Sequence, residues 1–301
     1  MKVLLISLFI LFFQTTHANY VFESHFEPDK KWTEFSKNQK FNLKNLFYQL
    51  VKSPIGKELV RSANEKAKLS NKTLYDIVHE GRGSLTDTTL IRKFNPQNLS
   101  EITYESNSKV FINKELNQYD ALLDLAHELT HYVYRHNFNP YTANFDLADF
   151  ISNTIEGAGG EVEAFIMECR IHNELFPGQN STRYNCRKIK DPTTGKISFH
   201  HAVKRFYHVG GYFESFNSML KQKGIAKNFP SVSAGKINFI SSAYGIPYPV
   251  AAYEEYLTIM NKVCENDKRR ISYFKKEPQR NIASLNTLEK KYDSSCRVMF
   301  N

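Results

Sequence analysis

Long apolar runs, closely spaced cysteines and nucleic-acid-binding motifs are missing from most of this 301-residue chain. After residue 13, no stretch approaches the roughly 18 apolar residues that a transmembrane helix needs. The four cysteines include no CxxC spacing, which argues against a zinc site built from cysteines. The formal net charge is +9, but basic segments interleaved with aromatic residues are absent, so we expect no nucleic-acid partner. Internal repeats and low-complexity linkers are absent too.

The first 18 residues have the three parts of a secretory signal peptide. Met1-Lys2 supplies the positive end, residues 3–13 form an apolar core, and Thr16-His17-Ala18 is an acceptable cleavage site. The apolar core is too short to remain as a stable membrane anchor. The sequence therefore predicts that residues 1–18 are a signal peptide and that the mature protein is secreted or periplasmic.

All four cysteines belong to the predicted mature chain. An even number of cysteines in an exported protein favours disulfides, and four cysteines allow three pairings. Proximity along the sequence favours Cys169–Cys186 and Cys264–Cys296.

The most informative motif is His127-Glu128-Leu129-Thr130-His131. Residues 120–135 have apolar residues at helical spacing, which predicts an amphipathic helix with both histidines and Glu128 on its polar side. Residues four apart share a helix face, so both imidazoles can reach one metal ion. A glutamate directly after the first histidine completes the HExxH pattern of zinc hydrolases, in which this glutamate activates water. The alternative interpretation is a surface helix with solvated polar residues.

A second helix is predicted from Glu161 to Leu175, after a glycine-rich segment and before Phe176-Pro177-Gly178. Apolar residues on most sides of this helix indicate burial, and a buried Glu161 needs a cation such as Zn²⁺ as its partner. The alternative is that Glu161 and Glu163 only stabilise the helix N-terminus through the macrodipole. Glu156 and Glu163 are also close enough in sequence to compete with Glu161 as ligands.

The HExxH helix, followed about thirty residues later by Glu161-Val162-Glu163-Ala164, resembles the gluzincin branch of zinc metallopeptidases. The resemblance is closest to the compact bacterial members and covers residues 101–176. It implies a zincin-like core, and a zinc ion bound by His127, His131 and Glu161.

Two comparisons of motifs limit this resemblance. The ExxxD form of the family has an aspartate that orients a ligand histidine, but this chain has Phe165 there. Asp120 and Asp124 are nearby candidates for the orienting role, which a ligand histidine nearly always requires. The metzincin pattern fits poorly, because it needs glycine and histidine where this chain has Tyr134 and Asn137.

The resemblance also implies catalytic roles. Glu128 would act as the general base, and gluzincins commonly use a histidine or tyrosine after the third ligand to stabilise the oxyanion. His200, His201 and Tyr207 are candidates, but the paired glycines at 210 and 211 favour His208 and Tyr212, which we predict as catalytic residues.

The predicted fold class is α+β and mainly helical, with a zincin-like core that contains a small sheet or hairpin. Residues 19–95 read as a helical region that either packs on the core or is a removable prosegment, with residues 46–60 the most periodic stretch. Residues 96–225 are the predicted catalytic core, with a hairpin formed by 102–104 and 110–112. Residues 226–301 are a predicted C-terminal helical region.

The sequence thus predicts an exported zinc metallopeptidase with a peptide or protein substrate. A non-catalytic exported binding protein with a zincin-like core and a zinc amidase acting on cell-wall peptides remain alternatives. The positive charge is compatible with contact to an anionic cell wall or membrane surface, although a solubilising surface explains it better. The oligomeric state is left open.

Overall fold

The computed structural model describes residues 26–95, 101–142, 145–178, 185–223, 232–276 and 282–297. The predicted signal peptide, residues 1–18, lies outside the described residues. Within them the fold is α+β and mainly helical with one small sheet, which confirms the predicted fold class.

The helices span most of the chain. In the described ranges the α-helices are α1 (Gln39–Leu50), α2 (Pro54–Leu69), α3 (Leu74–Ile77), α4 (Gln118–Tyr134), α5 (Leu147–Glu156), α6 (Glu161–Leu175), α7 (Phe199–Phe206), α8 (Phe213–Gln222), α9 (Tyr248–Lys276) and α10 (Ile282–Tyr292). Short 3₁₀ turns cover Trp32–Glu34, Asn185–Ile189 and Gly210–Tyr212, and a π-turn covers Asp293–Arg297.

Three strands form the sheet in the order β1-β3-β2, with β1 at Val78–Gly81, β2 at Leu85–Phe94 and β3 at Ile102–Asn113. β1 runs parallel to the central strand β3, whereas β2 runs antiparallel to it from Leu85↔Phe111 to Phe94↔Ile102. The predicted hairpin within residues 102–112 is wrong, because this segment is one continuous strand. The polar residues 105–108 pair with β2 and do not form a turn.

The N-terminal region is only partly helical. The predicted periodic stretch at residues 46–60 is divided between α1 and α2, since α2 begins anew after Ser53, whose hydroxyl accepts a hydrogen bond from the Gly56 amide at 2.9 Å. The prediction missed β1 and β2, which also lie in this region. Because β2 pairs along its whole length with β3, the sheet joins residues 19–95 to the predicted catalytic core.

Two hydrophobic cores meet at helix α6. The first contains α1, α2, the inner face of β1 and β3, and the apolar side of α4. The second contains α5, α7 and the first half of α9. Helix α6 contributes Ile171 to the first core and Val162 and Ile166 to the second. It is therefore held on two sides, next to α4.

Both disulfides have the predicted pairing, Cys169–Cys186 and Cys264–Cys296. Disulfides are typical of extracellular or periplasmic proteins. Cys169 lies on α6 and Cys186 in the 3₁₀ turn that follows, so this bridge fixes the turn against the helix. Among the described residues, no helix combines the length and apolarity that a membrane crossing requires.

Candidate metal centre

Helix α4 carries a cluster of possible metal ligands. It begins after Asn117, whose side chain accepts a hydrogen bond from the Asp120 amide at 2.8 Å, and its apolar side fills the first core. His127, Glu128 and His131 thus lie where α4 faces α6, and their ligand atoms are all within 4.8 Å of one another. This group could hold a metal ion.

Each histidine ring is oriented by an acceptor at Nδ1. Nδ1 of His131 donates to the carbonyl oxygen of Gly159 at 2.7 Å, and Nδ1 of His127 contacts the carboxylate of Glu168. A carbonyl oxygen only accepts hydrogen bonds, so the proton of His131 must reside on Nδ1. The Nε2 atom of a neutral His131 then carries a lone pair, as a metal ligand requires.

The carboxylate of Glu161, the first residue of α6, lies between the two histidines. One of its oxygens is 3.2 Å from Nε2 of His127, and the other is 3.4 Å from Nε2 of His131. Arg135 also contacts this carboxylate, through Nη2 at 3.0 Å. Burial alone would raise the pKa of Glu161, but His131, His127 and Arg135 together hold it well below its usual range. The carboxylate is therefore ionised.

The protonation states of the two histidines differ. Burial and the nearby Arg135 lower the pKa of His131 to about 4, so this ring is neutral near pH 7. Burial would also lower the pKa of His127, but the carboxylates of Glu168 and Glu161 outweigh it and raise the pKa well above its usual range. The lone pair of His131 Nε2 therefore faces an ionised carboxylate oxygen. A cation between these two atoms removes that repulsion, so the residues present fit a bound metal ion.

The side chain of Glu128 is held by strand β2. The hydroxyl of Thr86 lies 2.8 Å from Oε2 of Glu128 and 2.9 Å from its backbone oxygen. The Glu128 side chain is buried, and burial raises its pKa to about 7, against the lowering effects of His127 and the Thr86 hydrogen bond. A carboxylate with this pKa can accept and return a proton near neutral pH.

The two competing glutamates have other partners. Glu163 accepts a hydrogen bond from the Gly159 amide at 2.6 Å, and Glu156 accepts one from the hydroxyl of Tyr207 at 3.2 Å. Glu163 therefore stabilises the turn that carries the Gly159 carbonyl.

Gly159 brings the glycine-rich turn against the end of α4. Its φ of +63° is a left-handed conformation that favours glycine. A Cβ atom at this position would lie 2.2 Å from the backbone nitrogen of Arg135. The glycine thus allows its carbonyl oxygen to reach both His131 and the Nε atom of Arg135, the latter at 3.3 Å.

His208 and Tyr212, which the sequence predicts as catalytic residues, have contacts outside the cluster around Glu161. Nδ1 of His208 is 3.2 Å from the Lys236 carbonyl oxygen, and Tyr212 is exposed in the turn Gly210–Tyr212. Among the described residues, neither side chain contacts Glu161, so their catalytic roles remain predictions. His201 contacts Arg205 through Nε2 at 3.3 Å.

The tyrosine that the structure brings to the cluster is Tyr248, at the start of α9. Burial and the carboxylates of Glu161, Glu168 and Glu128 raise the pKa of its half-buried phenol, and a hydrogen bond to Glu161 contributes. Tyr248 also lines a cavity of about 400 Å³ that adjoins His127. The sequence gives no local signal for this residue, because 87 residues separate it from Glu161.

Three further site residues were missed for different reasons. Glu168 lies seven residues after Glu161 on the same face of α6, a spacing that could have identified it as the partner of His127. Arg135 follows His131 by four residues and could have been found in the same way. Thr86 belongs to a strand that the sequence did not predict.

The acidic residues predicted to orient a histidine have different positions. Asp120 accepts a hydrogen bond from the side-chain amide of Asn117 at 2.9 Å, so it belongs to the start of α4. Asp124 is half-buried close to the cluster; partial burial raises its pKa to about 6, and a hydrogen bond from Ser84 opposes this shift. Glu168, not either aspartate, contacts Nδ1 of His127.

No protein-family model, curated protein or solved structure matches this chain. The geometry of the described residues is therefore the basis for any functional assignment.

Proposed function

We propose that this protein is an exported zinc-dependent metallopeptidase of the gluzincin type. The single observation that carries the proposal is the position of the Glu161 carboxylate, with one oxygen near Nε2 of each motif histidine. The order HExxH, then a glutamate at the start of a second helix, is the ligand order that the sequence resemblance implies. The two disulfides support the exported location.

His127, His131 and Glu161 would hold the zinc ion. Two imidazoles and one carboxylate are a donor set that zinc favours in catalytic sites, where three protein ligands leave a position open. Glu168 and the Gly159 carbonyl would keep the two rings in the orientation that directs Nε2 towards the metal. Bound zinc would supply Lewis-acid polarisation of a carbonyl group and acidification of a water molecule.

Glu128 would move the proton in this proposal. Its burial raises its pKa to about 7, and the Thr86 hydroxyl fixes the position of Oε2. We infer that Glu128 takes a proton from the attacking water and returns it to the leaving amine.

Tyr248 is a hydrogen-bond donor beside the proposed zinc ligand Glu161. Its raised pKa keeps the phenol protonated at neutral pH, so its hydroxyl is available to donate a hydrogen bond. We therefore assign oxyanion stabilisation to Tyr248 in this proposal, ahead of the sequence-predicted His208 and Tyr212.

Open space on both sides of the cluster fits an extended peptide. One cavity of about 400 Å³ adjoins His127, and another of about 460 Å³ reaches His131. The first has aromatic walls that include Phe165 and Phe239, while the second lies along β2. A peptide chain could therefore cross the metal centre and extend in both directions.

The test is hydrolysis of a mixed peptide library by the zinc-loaded protein and by its Glu128→Gln variant, with products identified by mass spectrometry. We expect the variant to keep its zinc and lose at least about 100-fold in kcat, because its side chain cannot accept the proton. A Glu163→Gln variant is the matched control, since its amide oxygen can still accept from Gly159. Equal turnover by parent and Glu128→Gln would refute the proposal, and zinc binding without any turnover would favour the binding-protein alternative.

A further inference from the structure

A long cleft runs from the candidate metal centre along strand β2. Its first part, about 460 Å³, is lined by Thr86 and His131. A second cavity of about 550 Å³ continues it and shares Leu90, Tyr141 and Asn266 with the first. The two cavities share these wall residues and are neighbours between β2 and helix α9, and together they are here called the β2 cleft.

The cleft exists because the β2 face towards α9 is polar near the metal centre. Thr86 and Thr88 lie on this face, and Thr88 forms a hydrogen bond with Ser108 of β3 at 2.9 Å between their hydroxyl oxygens. Short hydroxyl side chains do not fill the space that a hydrophobic contact with α9 would occupy. The walls there offer hydrogen-bonding groups to a ligand rather than an apolar core.

The far end of the β2 cleft combines arginines with aromatic rings. The guanidinium of Arg92 lies over the Tyr141 ring at 3.9 Å and over the Phe94 ring at 4.8 Å. The guanidinium of Arg270 also lies over Phe94, at 4.6 Å. Tyr273, which is 53% exposed, adds a further aromatic wall. This end is therefore both cationic and apolar.

Among the described residues that line this end, three are arginines and none is acidic. Arg92 is neutralised by Asp267 in a buried ion pair with an N–O distance of 2.8 Å. Arg269 also lines the cavity, with a side chain that is 78% exposed and a loose contact to the exposed Glu265 at 3.8 Å. Burial and the nearby Arg92 lower the pKa of Arg270, against the opposing effect of Asp267, so cationic groups lie close to one another here. An incoming carboxylate would relieve this crowding.

About six residues of strand β2 separate the two ends of the cleft. Thr86 contacts Glu128, and Arg92 is six residues further along the same strand, about 20 Å at the usual rise per residue. An extended peptide beside β2 has a similar rise, so a side chain about six residues from the reacting bond would reach the far end.

We propose that the far end of the β2 cleft is an exosite for an acidic residue next to an apolar residue, about six residues from the scissile bond of a peptide substrate. The arginines bind the carboxylate, and the aromatic rings bind the apolar neighbour. This inference rests on the proposed function, because it defines the substrate class of the same site.

Binding is tested first, with the zinc-loaded Glu128→Gln protein and fluorescein-labelled 14-residue peptides read by anisotropy. Each peptide has a neutral polar sequence with one terminal pair, either Asp-Phe, Lys-Phe or Asp-Ser. We expect Asp-Phe to bind about tenfold more tightly than either comparison peptide, since one charge-assisted contact to a partly desolvated arginine has about this effect. The preference should decrease at high salt.

Arginine variants test whether the preference for the Asp-Phe peptide depends on the far end of the β2 cleft. Arg269→Gln combined with Arg270→Gln should remove it, while Lys268→Gln, an exposed position on the same helix outside the cavity lining, should keep it. Because Arg270 packs on Phe94 and its loss could disturb the fold, the exposed Arg269→Glu variant is the second test, and it too should weaken Asp-Phe binding. Equal binding of all three peptides, or a preference unchanged in the variants, would overturn the proposal. Equally tight binding of a 12-nucleotide oligothymidylate would overturn it in favour of a nucleic-acid surface.

Turnover measurements test the predicted distance between the Asp-Phe pair and the scissile bond. The Asp-Phe pair is moved along a cleavable peptide in single-residue steps on either side of the scissile bond. We expect kcat/KM to rise about tenfold when the pair is five to seven residues away on one side, and short neutral peptides to be cleaved equally by parent and arginine variants. No dependence on spacing would contradict the exosite while leaving the proposed function intact. If hydrolysis fails altogether, the proposed function fails, and the binding experiment still reports on the exosite.

Discussion

Nδ1 of His131 donates a hydrogen bond to the carbonyl oxygen of Gly159 at 2.7 Å, across 28 residues of sequence. This bond fixes the ring so that Nε2 faces the Glu161 carboxylate. The backbone of the turn before α6 thus sets the geometry of a side chain on α4. The metal centre depends on this turn as much as on the motif residues themselves.

Replacing Gly159 with alanine should therefore disturb the centre through the backbone. The left-handed φ of +63° is unfavourable for alanine by about 1–2 kcal/mol, and the new Cβ would lie 2.2 Å from the Arg135 nitrogen. We expect a clear decrease in thermal stability and about 10–100-fold weaker zinc binding, measured by chelator competition. Gly211→Ala is the matched control, because nothing lies within 4 Å of its Cβ position. Full zinc affinity in Gly159→Ala would show that the carbonyl does not orient His131.

Glu168 should be a positioning residue for His127. Its carboxylate contacts Nδ1 of that ring, so Glu168→Ala removes the acceptor, whereas Glu168→Gln keeps an oxygen that can accept. We expect about 10–100-fold weaker zinc binding for the alanine variant and a smaller loss for the glutamine variant, in the same competition assay. Equal losses in the two variants would point to charge rather than ring orientation.

Tyr248 and Tyr212 offer a direct comparison between structure and sequence. Tyr248→Phe removes the hydroxyl next to Glu161, so we expect kcat to fall about 100-fold while zinc content stays at one per chain. Tyr212→Phe changes an exposed ring and should leave kcat unchanged. Steady-state kinetics on one cleaved peptide measures both variants. A large loss with Tyr212→Phe and none with Tyr248→Phe would reverse the assignment in favour of the sequence-based one.

The sequence predicted what depends on local spacing. The helices that carry His127 and Glu161 follow from apolar periodicity and from the glycine and proline residues at their ends, and both disulfides follow from proximity along the chain. The predicted zincin-like core and the peptidase activity stay predictions.

What the sequence did not predict depends on long-range contacts. Strand β2 has the exposure pattern of a strand with little core contact, so its Thr86 gave no apolar signal. Tyr248 reaches the centre because α9 packs against α5 within the second core, which also contains residues of α6. The carbonyl of Gly159 has no side chain to recognise, and its role appears only when the turn is seen against α4.

The most direct test of the metal centre is zinc content, by mass spectrometry, of the purified protein and of its Glu161→Gln and Glu163→Gln variants after reconstitution. Glu161 lies between both histidines, while Glu163 is bound to the Gly159 amide. We predict one zinc per chain in the parent and in Glu163→Gln, and loss of stoichiometric zinc in Glu161→Gln. A folded parent that binds no zinc, or a Glu161→Gln variant that keeps it with parental affinity, would contradict the account.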